Sequence, residues 1–234
     1  MKRIFIPTKS GSDWQWLLAK PDVHWQSGKS AMTVAAAWEA AHDSLPPEIA
    51  SALANSGDAR LVGLQLLATF PEYQVELPGG ATASQTDVLA VASNASGLVV
   101  LAIEGKVDEE FGPTLGAKRA QASAGQGDRL SFLHETIGLK KPLADEIRYQ
   151  LLHRTASAVL VARDFHAATA VMVVQSFSER NRWFEDYERF CQELGGTAVM
   201  GKAIAVPGKA SPSLFLAWCQ GEQRFRAVDF SATS

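Results

Sequence analysis

Residues 85–107 read QTDVLAVASNASGLVVLAIEGKV. Two apolar segments, 85–92 and 98–107, flank Ser93, Asn94, Ala95, Ser96 and Gly97, a run rich in turn formers. The pattern predicts two neighbouring strands joined as a hairpin. In the second strand, Leu98 through Ile103 are continuously apolar, so it is expected at the centre of a sheet with both faces buried. It ends in Glu104, Gly105 and Lys106, which sets a carboxylate and an ammonium on one face of a buried strand. A charge in such a place is normally paired, metal-bound or at a water-filled edge. Asp87 presents the same anomaly at the start of the preceding strand, and the hairpin brings it across the ladder toward Glu104.

On the N-terminal side, Tyr73 begins a further strand over 73–77 that Pro78, Gly79 and Gly80 break. The apolar stretch 61–70 is expected to be helical. Pro46, Pro47 and Glu48 start a short helix running to about Ala54. Before that, Ser30 stands as the cap of an alanine-rich helix over 31–41, and residues 2–6 suggest a short strand ended by Pro7. On the C-terminal side, Ile147, Leu151, Thr155, Ala158 and Ala162 recur at helical spacing within a long helix over 145–162. A strand over 170–174 follows. Ser178 then caps a helix to Leu194 that Gly195 and Gly196 stop, and strands over 203–206 and 214–219 close the sheet. This order predicts an α/β fold, three layers with a central mixed sheet flanked by helices, in a single domain spanning 1–234.

Bulk composition narrows the function classes. The 234 residues are 47% hydrophobic and 20% charged, with no linker, repeat or low-complexity tract. No segment is long and apolar enough for a membrane span or signal sequence, and Cys191 and Cys219 are too few for a disulfide framework. A cytoplasmic protein with reduced thiols is expected. The formal net charge of −3 counts mildly against tight nonspecific nucleic-acid binding, and only residues 118–154 lean basic.

Two carboxylates held close repel unless positive charge lies between them. Mg²⁺, with Mn²⁺ as an alternative, is the natural occupant of a site made by Asp87 and Glu104, and Lys106 flanks it. Such a site suits phosphodiester hydrolysis, with Lys106 positioning water or supporting developing negative charge. Gln150, His153 and Arg154 fall three and four residues apart on one helix surface, where they either face a phosphate or form a solvated polar face. Gly28, Lys29 and Ser30 do not make a phosphate loop: Val23 stands where the motif needs glycine, and no strand precedes it.

An Asp on one strand followed by Glu-x-Lys on the next resembles the PD-(D/E)XK nuclease superfamily, the restriction-endonuclease-like proteins, and within it uncharacterised bacterial members. The match is carried by Asp87 and by Glu104, Gly105 and Lys106. Sixteen residues separate the two carboxylates. Thr86 replaces the proline that usually precedes the aspartate. The resemblance implies a core over about 30–174, with 175–234 as an extension. It also implies metal ligation by Asp87, Glu104 and the Gly105 carbonyl, water activation by Lys106, and Glu39 from the first helix completing the set, with Glu76 a weaker candidate. Gln150, His153 and Arg154 would meet the substrate. The implied partner is nucleic acid, DNA ahead of RNA, and a homodimer is compatible. The competing expectation is a noncatalytic binding or scaffold domain of a bacterial defence or repair system, which the acidic net charge favours.

Overall fold

The computed structural model describes residues 4–5, 8–208 and 212–230. Its centre is a six-stranded mixed sheet with strand order β1-β2-β3-β4-β6-β5. The strands are β1 (Gln65–Val75), β2 (Ser84–Asn94), β3 (Gly97–Lys106), β4 (Thr169–Ser176), β5 (Ile204–Ala205) and β6 (Ser213–Gln220). The first three form an antiparallel meander, β3, β4 and β6 run parallel, and β5 returns antiparallel beside β6. The expected three-layer α/β architecture with a mixed sheet is therefore present.

Alternation along β3 splits the core in two. Val100 and Ala102 join a cluster with Leu151, Leu152 and Val159 of α6 (Tyr149–Asp164), together with residues of α4 (Leu115–Ala120), α5 (Ala124–Thr136) and α7 (Phe184–Glu193). Val99, Leu101 and Ile103 face Met32 and Val34 of α2 (Ser30–Ala41) and Ile49 and Leu53 of α3 (Pro47–Ala54). A four-residue α1 (Pro21–His24) and a 3-10 turn over Gly11–Leu17 cover the edge of that second face. Helices on both sides explain why β3 carries an unbroken apolar run. Among the described residues no helix is long and apolar enough to cross a membrane.

Several elements depart from expectation. The stretch 61–70 is not helical: from Gln65 it forms β1, the edge strand, where Pro71 needs no ladder partner for its missing N–H. Helices α4 and α5 fill the segment between β3 and α6, for which no element was expected. Helix α6 starts at Tyr149, because Ile147 and Arg148 are tied to residues 113–115: Ile147 accepts from Leu115 N and Arg148 bridges Thr114. Ser178 accepts Arg182 N at 3.2 Å but α7 begins only at Phe184, after Trp183 at φ +70°. Ser30 is not a cap but the first residue of α2, and its N–H donates to Glu109 Oε1 at 3.0 Å. The strand expected over 2–6 lies partly outside the described residues; within them, Ile4 bridges Thr69.

Candidate active site

Glu104 and Lys106 stand on the α6 face at the end of β3, and α6 closes over them. Glu104 is 3% exposed. Its Oε1 accepts Lys106 Nζ at 2.7 Å and Gln150 Nε2 at 2.6 Å, while Oε2 accepts Arg154 Nε at 2.5 Å. Gln150 and Arg154 reach the same carboxylate because four helical residues return to one face. Arg154 continues to Ser84 through Nη1 at 2.8 Å, and Lys106 Nζ lies 5.2 Å from the Phe111 ring centroid.

Asp87 enters from β2. Its Oδ2 accepts the Gly105 N–H at 2.7 Å, beyond the last cross-strand pair, Val88 with Ile103. Strand alternation puts the Gly105 carbonyl on the same edge as that N–H. On the other side, β1 pairs Pro71 with Val88 and Tyr73 with Thr86 but leaves Glu72 and Asp87 unmatched. Glu72 has φ +51°, a conformation unfavourable for a non-glycine residue, and its Oε2 accepts Gln85 Nε2 at 2.9 Å. The result is a cleft of about 470 Å³ bordered by Glu72, Asp87, Glu104 and Glu109 against Lys29, Lys106 and Arg154.

The carboxylates differ in charge state. Burial opposes ionisation of Glu104, but Lys106 and Arg154 outweigh it and hold the group below the usual range. Burial and then Glu104 push Asp87 up to about 7, against the pull of Arg154, Lys106 and the Gly105 N–H. Burial and Asp87 raise Glu72 well above its ordinary value. Glu109 is held low despite burial, because it accepts the Ser30 amide, its own and that of Val107, with Lys106 adding to the effect. Glu104 and Glu109 are thus the carboxylates held in the charged form, while crowding and burial favour the protonated form of Asp87 and Glu72.

Asp87, Glu104, Gly105, Lys106, Gln150 and Arg154 meet here as the sequence led one to expect. His153 does not: its Nδ1 lies 2.8 Å from Ser84 Oγ and its ring leans on Tyr149, in a neighbouring cavity. Glu39 is also elsewhere. It accepts Trp14 Nε1 at 2.9 Å and Thr8 Oγ1 at 3.4 Å, and it sits nine residues, about 13 Å of helix, beyond Ser30 at the cleft mouth. Glu76 is exposed and does not border the cleft. Glu72 and Ser84 were not anticipated, and reading 61–70 as helix hid the strand that carries Glu72 beside Asp87.

A family model matches residues 7–223. The chain belongs to that family, Domain of unknown function (DUF6946). No curated protein and no solved structure matches it. The DUF6946 match spans every residue bordering the cleft.

Among the described residues of this DUF6946 chain, no three His, Cys, Asp or Glu side chains gather as a metal-ligating set. Among the described residues, the oxygen donors nearest to hand for a hard cation are the Asp87 and Glu72 carboxyls and the Gly105 carbonyl. Glu104 joins them only by exchanging Lys106 or Gln150, since both its oxygens are taken. The raised Asp87 and Glu72 carboxyls are the feature that fits a cation: a positive ion would relieve the crowding that keeps them protonated. Chemically, the cleft offers a fixed ammonium and guanidinium beside a carboxyl that titrates near neutrality.

Proposed function

We propose that the cleft is that of a nuclease dependent on a divalent cation, Mg²⁺ or in its place Mn²⁺, cleaving phosphodiester bonds in nucleic acid, DNA ahead of RNA. One observation carries this reading: Asp87, Glu104 and Lys106, from adjacent antiparallel strands, converge in one open cleft with Arg154 and Gln150 reaching in from α6. Asp87 and the Gly105 carbonyl would hold the ion, with Glu104 completing the set. A bound cation supplies neutralisation of a phosphoryl oxygen and acidifies water. The chain's own part is electrostatic. Lys106, fixed by Glu104, donates toward the negative charge that grows on the phosphoryl group, and Gln150 and Arg154 hold Glu104 in place so that this donor is preorganised. A cytoplasmic location belongs to the same reading, supported by the buried free thiols Cys191 and Cys219.

The occupation of both Glu104 oxygens supports a second reading, a noncatalytic domain whose ion-pair cluster is structural. Hydrolysis of DNA and RNA with Mg²⁺ or Mn²⁺ separates the two. The nuclease reading expects wild-type cleavage that is lost in Glu104→Ala and in Lys106→Ala. Equal activity in all three proteins would place the chemistry elsewhere, and nucleic-acid binding without cleavage would favour the second reading.

A further inference from the structure

Beyond Lys106 two further hollows lie beside the cleft along the first turns of α6. The cleft shares Lys106 and Gln150 with a space of about 340 Å³ beside Phe111 and Pro113. That space in turn shares Lys118, Tyr149 and His153 with a pocket of about 330 Å³ closed by Gly79, Gly80 and Arg129. The charge changes along this path. Four carboxylates border the cleft, Glu110 alone borders the middle space, and among the described residues no carboxylate lines the last pocket.

Two cations line that last pocket, and among the described residues no carboxylate pairs with either. Arg129 is clamped by backbone carbonyls: its Nε donates to Pro78 O at 2.8 Å and its Nη2 to Leu77 O and Gly80 O at 3.1 Å. These acceptors fix the guanidinium but do not cancel its charge, and no acceptor among the described residues engages Nη1. The loop is shaped for this grip: a Cβ on Gly80 would come within 3.2 Å of Arg129 Nη2, and one on Gly79 would overlap the Gly125 backbone. Lys118 Nζ lies 5.1 Å from the Tyr149 ring centroid, with no carboxylate partner among the described residues. His153 registers the resulting field. Burial, then Arg154, Arg129, Lys118 and Lys106, hold its imidazole well below the ordinary range, so the ring is neutral at physiological pH.

We propose that this pocket is a phosphate-binding subsite, in which Lys118 and the clamped Arg129 grip the phosphate of a nucleotide-sized ester. A rigid guanidinium beside a mobile ammonium suits a phosphate, which accepts from both at once. The volume is that of a small-molecule site. The phosphate belongs either to a strand that continues from the acidic cleft or to a free mononucleotide; the first source rests on the nuclease reading and the second does not.

Binding measured in EDTA, where no metal-dependent turnover occurs, tests this. The probes are a labelled short single-stranded oligonucleotide, followed by fluorescence anisotropy, and AMP, followed by calorimetry, with adenosine as the phosphate-free control. Wild type is expected to bind at least one phosphate-bearing probe and to discriminate against adenosine. Lys118→Glu is expected to weaken that binding about tenfold or more, the scale of one charge-assisted hydrogen bond. Lys118→Gln, which removes the charge without reversing it, is expected to lower the salt dependence of single-stranded oligonucleotide binding by about 0.7 of a unit of slope. Binding of the oligonucleotide alone identifies a strand, and binding of AMP as well identifies a free phosphate ester. The proposal is overturned if wild type binds neither probe, if AMP binds but adenosine binds as tightly, or if both Lys118 variants, folded by circular dichroism, retain wild-type affinity. Since the readout is affinity without metal, absence of nuclease activity leaves the result standing, and cleavage with unchanged Lys118-variant affinity overturns the subsite alone.

Discussion

Asp87 takes the Gly105 N–H at 2.7 Å, a donor that would otherwise face a β2 carbonyl, at the point where the β2–β3 ladder has already ended. One side chain thus finishes the hairpin and brings a second carboxyl to within reach of Glu104. The cost appears in its protonation, pushed up to about 7 by burial and by Glu104.

The pH dependence follows from that shift. Unfolded, the Asp87 carboxyl loses its proton near about 3.9; folded, it keeps it to about 7. Between these values the folded state binds more protons, so this group's contribution to stability falls as pH rises, and the penalty is complete above pH 7. Asp87→Asn keeps an acceptor for Gly105 and removes the titration. In EDTA, chemical denaturation should show a gain over wild type that is absent near pH 4 and largest above pH 7, at most about 4 kcal/mol at 1.36 kcal/mol per unit. Added Mg²⁺ at pH 8 should raise the wild-type midpoint and leave the variant nearly unmoved. A gain independent of pH would mean that Asp87 is ionised throughout.

Arg154 is the counter-charge that the buried cluster depends on. It is 7% exposed, binds Glu104 Oε2 at 2.5 Å and Ser84 Oγ at 2.8 Å, and is drawn further toward its charged form by Glu104 and Asp87 despite burial. Arg154→Met should destabilise by about 3–5 kcal/mol, the cost of leaving a buried charge short of its partner. Arg154→Lys should recover only part of this, because one ammonium does not span both acceptors. Adding Glu104→Gln to Arg154→Met should return some of the loss, a coupling of about 0.5–3 kcal/mol in a double-mutant cycle. Strict additivity would show that the two residues do not share their energy.

Glu39 separates packing from chemistry. It accepts the indole N–H of Trp14, a residue 1% exposed, and stands away from the cleft. Glu39→Ala should cost about 1–3 kcal/mol by stranding a buried donor. Under the proposed nuclease function, specific activity at a temperature where the variant is folded should equal that of wild type. A selective loss of activity would return Glu39 to the site.

The hairpin and its charges were legible because continuous apolar β3 left Glu104 and Lys106 conspicuous, and because 85–107 contains its own turn. Tertiary context decided what was misread. In β1, Leu66, Leu67 and Phe70 fall at spacings that a helix would also show; a register shift between Leu66 and Ala68 and the positive φ of Glu72 erase the alternation that marks a strand. With the strand expected only from Tyr73, one residue too late, Glu72 could not be set beside Asp87. On α2, Met32 through Trp38 are all buried, so no polar face told which way Glu39 would turn. His153 was expected to share a surface with Gln150 and Arg154, but as the immediate neighbour of Arg154 it lies about 100° round the helix and turns to Ser84 and Tyr149 in the adjoining pocket.

Gly105 tests how tightly α2 is set against the site. An ideal Cβ there would lie 2.2 Å from Val34 Cγ2 and 3.3 Å from Asp87 Oδ2. Glycine is therefore required by space, since helix α2 rests directly on β3. Gly105→Ala should cost about 1–3 kcal/mol through overpacking. It should also disturb the cleft rim, because the first amide of α2, at Ser30, is held by Glu109 on the segment that follows β3. Val34→Ala opens the room that the new methyl needs. The double variant should be more stable than the sum of the two single losses predicts, by at least about 0.5 kcal/mol in chemical denaturation, the threshold above which neighbouring sites count as coupled. If the two losses simply add, the contact between Val34 and residue 105 is not what limits this position, and the close approach of Asp87 Oδ2 becomes the remaining constraint, which Asp87→Ala in the Gly105→Ala background would relieve.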